Sequence, residues 1–130
     1  MTRVRSITLW LLAPVLAGDG LFMLLAPEAW YHMLPTVPAT GAFNAHFVRD
    51  IGAAYLVVGG ALAWLALGRA GGHAAALTGG AFLGLHAAVH LWDATAGRAS
   101  LAHLAQDVPL VIVVPALVVW LAWPRSPAHR

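Results

Sequence analysis

The sequence predicts an all-α fold: a four-helix transmembrane bundle running up-down-up-down with both termini cytoplasmic. Three observations carry this. Of the 130 residues, 61% are hydrophobic, only 9% are charged, and mean hydropathy is +0.79, whereas a soluble domain is about a quarter charged and about half apolar. Four apolar stretches follow one another, separated by clusters of proline, glycine and polar residues, and a span needs roughly 20 such residues. Most arginines stand near the ends of those stretches. The composition excludes disorder, a collagen-like fibre and a water-soluble enzyme of ordinary build. The length fits a single integral membrane domain, 1–130. The chain has no cysteine, which excludes disulfides, thiolate catalysis, iron–sulfur clusters and cysteine-based zinc sites.

The first span covers about residues 6–26 and is interrupted by Pro14, Gly18, Asp19 and Gly20; such breaks are tolerated where neighbouring helices satisfy the freed backbone groups. Arg3 and Arg5 ahead of an apolar run also suit a signal peptide cleaved near Ala17, but the apolar pattern resumes over Leu21–Ala26, which favours a retained span. Residues 27–40 hold three of the eight prolines with Trp30 and Tyr31. They read as an interfacial loop or short surface helix, with Glu28 supporting its start. The second span covers about 41–67 and ends in GRAGG; the third covers about 73–96. The fourth, about 100–123, opens on Ser100 as N-cap and contains Pro109 and Pro115. Because the residue before a proline avoids the α region, 100–107 is expected to form a separate helical turn across the bundle mouth.

Orientation follows from the arginines. Four spans put Arg3, Arg5, Arg69, Arg125 and Arg130 on one side and Arg98 on the other, and the positive-inside rule makes the first side cytoplasmic. The expected location is the bacterial inner membrane. Trp10, Trp120 and Trp123 anchor its cytoplasmic face, Trp30 and Trp92 its outer face. The arginines form no basic stripe, so nucleic acid is not an expected partner. Gly80 and Gly84 form a GxxxG pair, which lets helices approach closely within the bundle or between two copies. The expected partners are membrane lipid, a lipid-soluble small molecule and a second copy of the chain.

The informative residues are those that spans usually avoid: Asp19; His46, Arg49 and Asp50; His86, His90 and Asp93; His103 and Asp107. Ionisable groups at the bilayer centre cost roughly 2.5 kcal/mol or more, so they face the bundle interior and mark function. His46/Asp50 and His103/Asp107 are spaced i,i+4, and His86/His90/Asp93 i,i+4,i+7, so each set shares one helix face. Counted at ~1.5 Å per residue, Asp19, Asp50, His90 and Asp107 each lie roughly 10 Å inside the outer edge. Antiparallel packing would gather them round one cavity. His32, His73 and His129 read as interfacial or solvated.

Imidazole and carboxylate at this spacing suit a transition metal, zinc or iron foremost, held by His46, Asp50, His86, His90, Asp93, His103 and Asp107. Asp19, Arg49, Asn44 and Tyr55 would support the ligands or contact substrate. Haem is less suited, since His86 and His90 share a face and cannot clamp one iron. If catalytic, the site fits metal-assisted hydrolysis or oxidation of a lipid-soluble substrate. The alternatives are a non-enzymatic accessory or transport protein using the same residues as a proton or ion relay, and a purely structural polar network. Serine-hydrolase, P-loop and dinucleotide motifs are absent.

The stretch Phe43-Asn44-Ala45-His46-Phe47-Val48-Arg49-Asp50-Ile51-Gly52-Ala53-Ala54-Tyr55-Leu56, followed by Gly59-Gly60, resembles the second span of the DoxX-like small bacterial four-helix membrane proteins. The resemblance implies the four-span architecture. Some members of that group are linked to sulfur or quinone redox systems, but a thiol-based role has no cysteine here to carry it.

Overall fold

Thr2 caps the first helix, its hydroxyl accepting from the Arg5 N–H at 3.4 Å, and α1 then runs over Arg3–Leu25 with Pro14 accommodated inside it. In the computed structural model, which describes residues 2–124, five further α-helices follow: α2 (Pro27–Met33), α3 (Ala45–Ala66), α4 (Gly72–Thr95), α5 (Leu101–Asp107) and α6 (Val114–Ala122). Arg125, His129 and Arg130 lie outside the described residues, so the share of the orientation argument that rests on Arg125 and Arg130 does too.

Among the described residues, four helical stretches are long and apolar enough to cross a membrane: Arg3–Leu25, Ala45–Ala66, Gly72–Thr95 and Leu101–Ala122. The chain is thus a four-helix bundle of the up-down-up-down kind. α1 packs on α3, α3 on α4, and α4 on α6. α2 opens on Pro27, whose missing N–H suits a first helical turn; a 3-10 turn (Val37–Ala39) follows before Asn44 caps α3. Tyr31 fixes this connection by donating to the Gly41 carbonyl at 2.7 Å.

The fourth span is continuous where a separate turn across the bundle mouth was expected. α5 passes into a π-helical segment (Val108–Val113) and then into α6. Pro109 has no N–H to offer the preceding turn, and a local widening of the helix absorbs that loss without breaking the rod.

α1 and α3 meet almost backbone to backbone. A Cβ on Gly20 would stand 2.5 Å from the Gly52 carbonyl oxygen, and one on Gly59 2.6 Å from the Ala17 nitrogen. Glycine here is a requirement of close approach. The Gly80/Gly84 pair does not act as one surface. A Cβ on Gly80 would meet Val119 at 3.0 Å, inside the bundle, while Gly84 has open space before it.

The apolar core occupies the half of the bundle that carries the termini. Leu9, Ala13 and Leu16 of α1 meet Val58, Leu62 and Leu65 of α3, Ala76 and Leu83 of α4, and Val118, Leu121 and Ala122 of α6. At that end the last carbonyls of the fourth span are taken up by side chains from two other spans. Buried Arg5 donates from Nε to the Leu121 carbonyl at 2.8 Å and from its terminal nitrogen to the Trp123 carbonyl at 2.8 Å. His73 Nδ1 lies 2.7 Å from the Ala122 carbonyl oxygen. Replacing Arg5 by Gln should therefore cost about 2 kcal/mol, the scale of charge-assisted bonds lost to buried carbonyls. Thermal unfolding in detergent would register this, and an unchanged midpoint would show that the clamp contributes nothing.

Candidate metal centre

The stripe that forms the core on α4 continues along the same side of the helix but changes chemistry. Ala76, Gly79, Gly80 and Leu83 are buried at the termini end; one and two turns further on come His86, Ala87 and His90. Opposite them α5 begins at Ser100, whose hydroxyl accepts from the His103 N–H at 3.1 Å. The cap fixes the register of this helix, so that His103 and Asp107, one turn apart, both face α4. Asp107 is the one buried carboxylate among the described residues, with 5% of its surface exposed.

Two imidazoles converge on it. His90 Nδ1 lies 2.8 Å from Asp107 Oδ2, and His103 Nε2 lies 3.2 Å from the same oxygen. One ligand atom from each of the three residues falls within 4.8 Å of the others, and no second such group of His, Asp or Glu occurs among the described residues. Ligands at about 2.0–2.1 Å from a tetrahedral zinc ion stand roughly 3.3 Å apart. The group thus needs only small side-chain movements to accept an ion. It can hold a metal through three protein atoms, with a fourth position left for water or another ligand. The His86 ring lies edge-on to that of His90, centroids 4.8 Å apart. It is also edge-on to Tyr55 at 6.3 Å and stacked on Phe82 at 6.4 Å.

The other expected site residues lie elsewhere. His46 and Asp50 pair with each other at 3.3 Å, with side chains 87% and 62% exposed. The cause is register: Val48 and Gly52 face the bundle, and two residues either side of Val48 are about 200° round the helix. Asp93 lies past His90 in the last turn of α4, where Arg98 folds back to donate to it at 2.7 Å. Asn44 is spent as the cap of α3, accepting from the N–H groups of His46 and Phe47. Arg49 donates to the Leu24 carbonyl at the end of α1, at 3.2 Å. Asp19 accepts from the Trp30 indole at 2.8 Å, which ties α2 to α1.

The shared cavity expected from matching depths therefore resolves into one group drawn from α4 and α5, with Tyr55 and Phe82 beside it. Phe82 is a neighbour that sequence reasoning missed, and Trp30, read there only as an outer-face anchor, is the partner of Asp19. Phe82 was readable in principle, standing four residues before His86 on the same face. Pairing of Trp30 with Asp19 depends on how α2 folds back and leaves no signal in spacing.

Replacing His46 by Ala and Asp50 by Asn together should leave metal affinity within about twofold, since distant sites act independently. Titration with zinc checks this, and a large loss would draw the pair into the centre. Comparison with models of protein families, with curated proteins and with solved structures finds no match to this chain.

Proposed function

We propose that this chain is an integral membrane protein that binds one divalent transition metal through His90, His103 and Asp107. The single observation carrying the reading is the convergence of two imidazole nitrogens on one buried carboxylate oxygen, at 2.8 and 3.2 Å. Nitrogen and oxygen donors without sulfur suit zinc or iron(II). The open fourth position is what metal-assisted chemistry on a lipid-soluble substrate would need. Arg3, Arg5 and Arg69 at one end and Arg98 at the other support cytoplasmic termini, with the metal group in the outer half of the membrane. The segment that resembles DoxX-like proteins forms the loop-end half of α3, which supports kinship in architecture. In this reading the chain resides in a bacterial inner membrane.

A second reading has its own support. The 2.8 Å separation of His90 Nδ1 from Asp107 Oδ2 is that of a good hydrogen bond, and both imidazoles can donate to the one oxygen. In this reading the triad works without metal as a proton relay.

Elemental analysis of protein purified in detergent separates the two. The metal reading expects about one zinc or iron per chain, retained through gel filtration and removed by a strong chelator, following the affinity of such donor sets. A folded, metal-free protein that takes up neither ion on titration would leave the relay.

A further inference from the structure

Beside the metal group stand polar groups that it does not use. Tyr55 on α3 and His86 on α4 face each other across the bundle, ring centroids 6.3 Å apart, with Phe82 edge-on to Tyr55 at 6.3 Å. Both residues are half-buried. Both make ring contacts, and neither the Tyr55 hydroxyl nor a His86 ring nitrogen has a hydrogen-bond partner among the described residues. No described side-chain nitrogen or oxygen is both sealed from the surface and unpartnered, so these atoms reach open space. At the depth of a membrane span that space is not bulk water, and a hydroxyl or imidazole left unpaired there is costly.

The chemistry of the two groups narrows what can pair with them. A phenol hydroxyl and a neutral imidazole each offer a donor and an acceptor, so they match a group that also does both. Asp19 acts electrostatically on Tyr55, so a negatively charged head would be repelled from that side. Phe82 adds hydrocarbon beside both. Tyr55 and Phe82 pack on the edge of the core that Leu9, Leu62 and Leu121 fill.

We infer that Tyr55 and His86 form a binding site for the neutral hydroxyl head of a lipid-soluble molecule, whose chain lies along Phe82 toward the bilayer. The inference builds on the metal reading by naming the class of molecule brought beside that group, yet the hydroxyl site itself needs no metal. Tyr55 donates a hydrogen bond to the hydroxyl oxygen, and His86 accepts one from the hydroxyl through a ring nitrogen that carries no hydrogen. No bond is made or broken in this step.

Equilibrium binding of radiolabelled 1-hexadecanol to the protein in nanodiscs, measured against empty nanodiscs, tests this. The expected result is saturable binding of one molecule per chain, displaced by unlabelled 1-hexadecanol and not by palmitate. Displacement by dioleoylglycerol as well would assign the site to a two-chain bilayer lipid, and its failure to displace would assign it to a single-chain alcohol; either supports the site. Tyr55→Phe keeps the ring and should weaken binding about tenfold, the loss of one hydrogen bond. His86→Phe should do the same, with circular dichroism and gel filtration confirming that each variant is folded. Chelator-treated protein should bind the alcohol as before, and Tyr55→Phe should keep its metal, so the two readings fail separately. Binding that does not saturate, palmitate competing as well as the alcohol, or unchanged affinity in both folded variants would overturn the inference.

Discussion

Asp107→Asn is expected to abolish metal binding while leaving the bundle folded. Asp107 Oδ2 is the atom on which His90 and His103 both converge, and an amide is a poor substitute for a carboxylate as a metal ligand. Outer partners of metal ligands typically contribute 10–100-fold in affinity, so loss of a direct ligand should cost at least about 100-fold. Stability supplies a second measure. Zinc at about 100 times its dissociation constant should stabilise the wild-type protein by about 2.7 kcal/mol, and the variant not at all. Without metal, the substitution removes a buried carboxylate from the interior of a span, a group that is expensive there. The metal-free variant should accordingly unfold no earlier than the metal-free parent. Thermal scans with and without zinc check both statements, and a variant that still responds to zinc as the parent does would remove Asp107 from the site.

Gly59→Ala is expected to be among the most damaging single-methyl changes, and Gly60→Ala beside it nearly silent. A Cβ on Gly59 would lie 2.6 Å from the Ala17 nitrogen, 2.7 Å from its Cβ and 2.8 Å from the Ala13 carbonyl oxygen, whereas one on Gly60 meets nothing within 4 Å. The obstructing atoms are largely backbone and cannot swing aside, so α1 and α3 must move apart. Overpacking of this kind costs typically 1–3 kcal/mol, and the glycine contacts are the main seam between these helices, so about 3 kcal/mol is expected. Gly20→Ala, facing the Gly52 carbonyl oxygen at 2.5 Å, should behave alike. The metal group lies on α4 and α5, away from this seam, so any variant that stays folded should bind zinc with parental affinity. Equal unfolding midpoints for Gly59→Ala and Gly60→Ala would show that the two helices are not in contact there.

The architecture was legible because the hydrophobic pattern sets it. Four apolar runs separated by proline and glycine clusters leave few arrangements for a chain in a bilayer, and Ser100 lies where an N-cap belongs. The metal group was legible in part. The i,i+4 spacing of His103 and Asp107 and of His86 and His90 correctly put each pair on one face, but periodicity does not say which face meets the neighbour. On α3 the buried side is set by Val48, Gly52, Val58 and Leu62, which turns His46 and Asp50 outward despite the same spacing. Depth along the membrane was likewise a weak guide: Asp19 lies at a suitable level yet meets the Trp30 indole of the returning α2. The α1–α3 seam had a readable signal in Ala13, Ala17 and Gly20, spaced four and three apart, opposite Gly52 and Gly59, spaced seven apart. The GxxxG pair on α4, though the better-known motif, forms no such seam. The π-helical segment answers to Pro109, but a proline marks where a hydrogen bond is lost without saying whether the span breaks or widens.

X-ray absorption at the zinc edge of the zinc-loaded protein tests the central claim most directly. If His90, His103 and Asp107 hold the ion, the spectrum should fit four nitrogen and oxygen ligands at about 2.0–2.1 Å with the multiple scattering of two imidazoles, and lose it in His90→Ala. An ion with no imidazole scattering, or an unchanged spectrum in that variant, would contradict it.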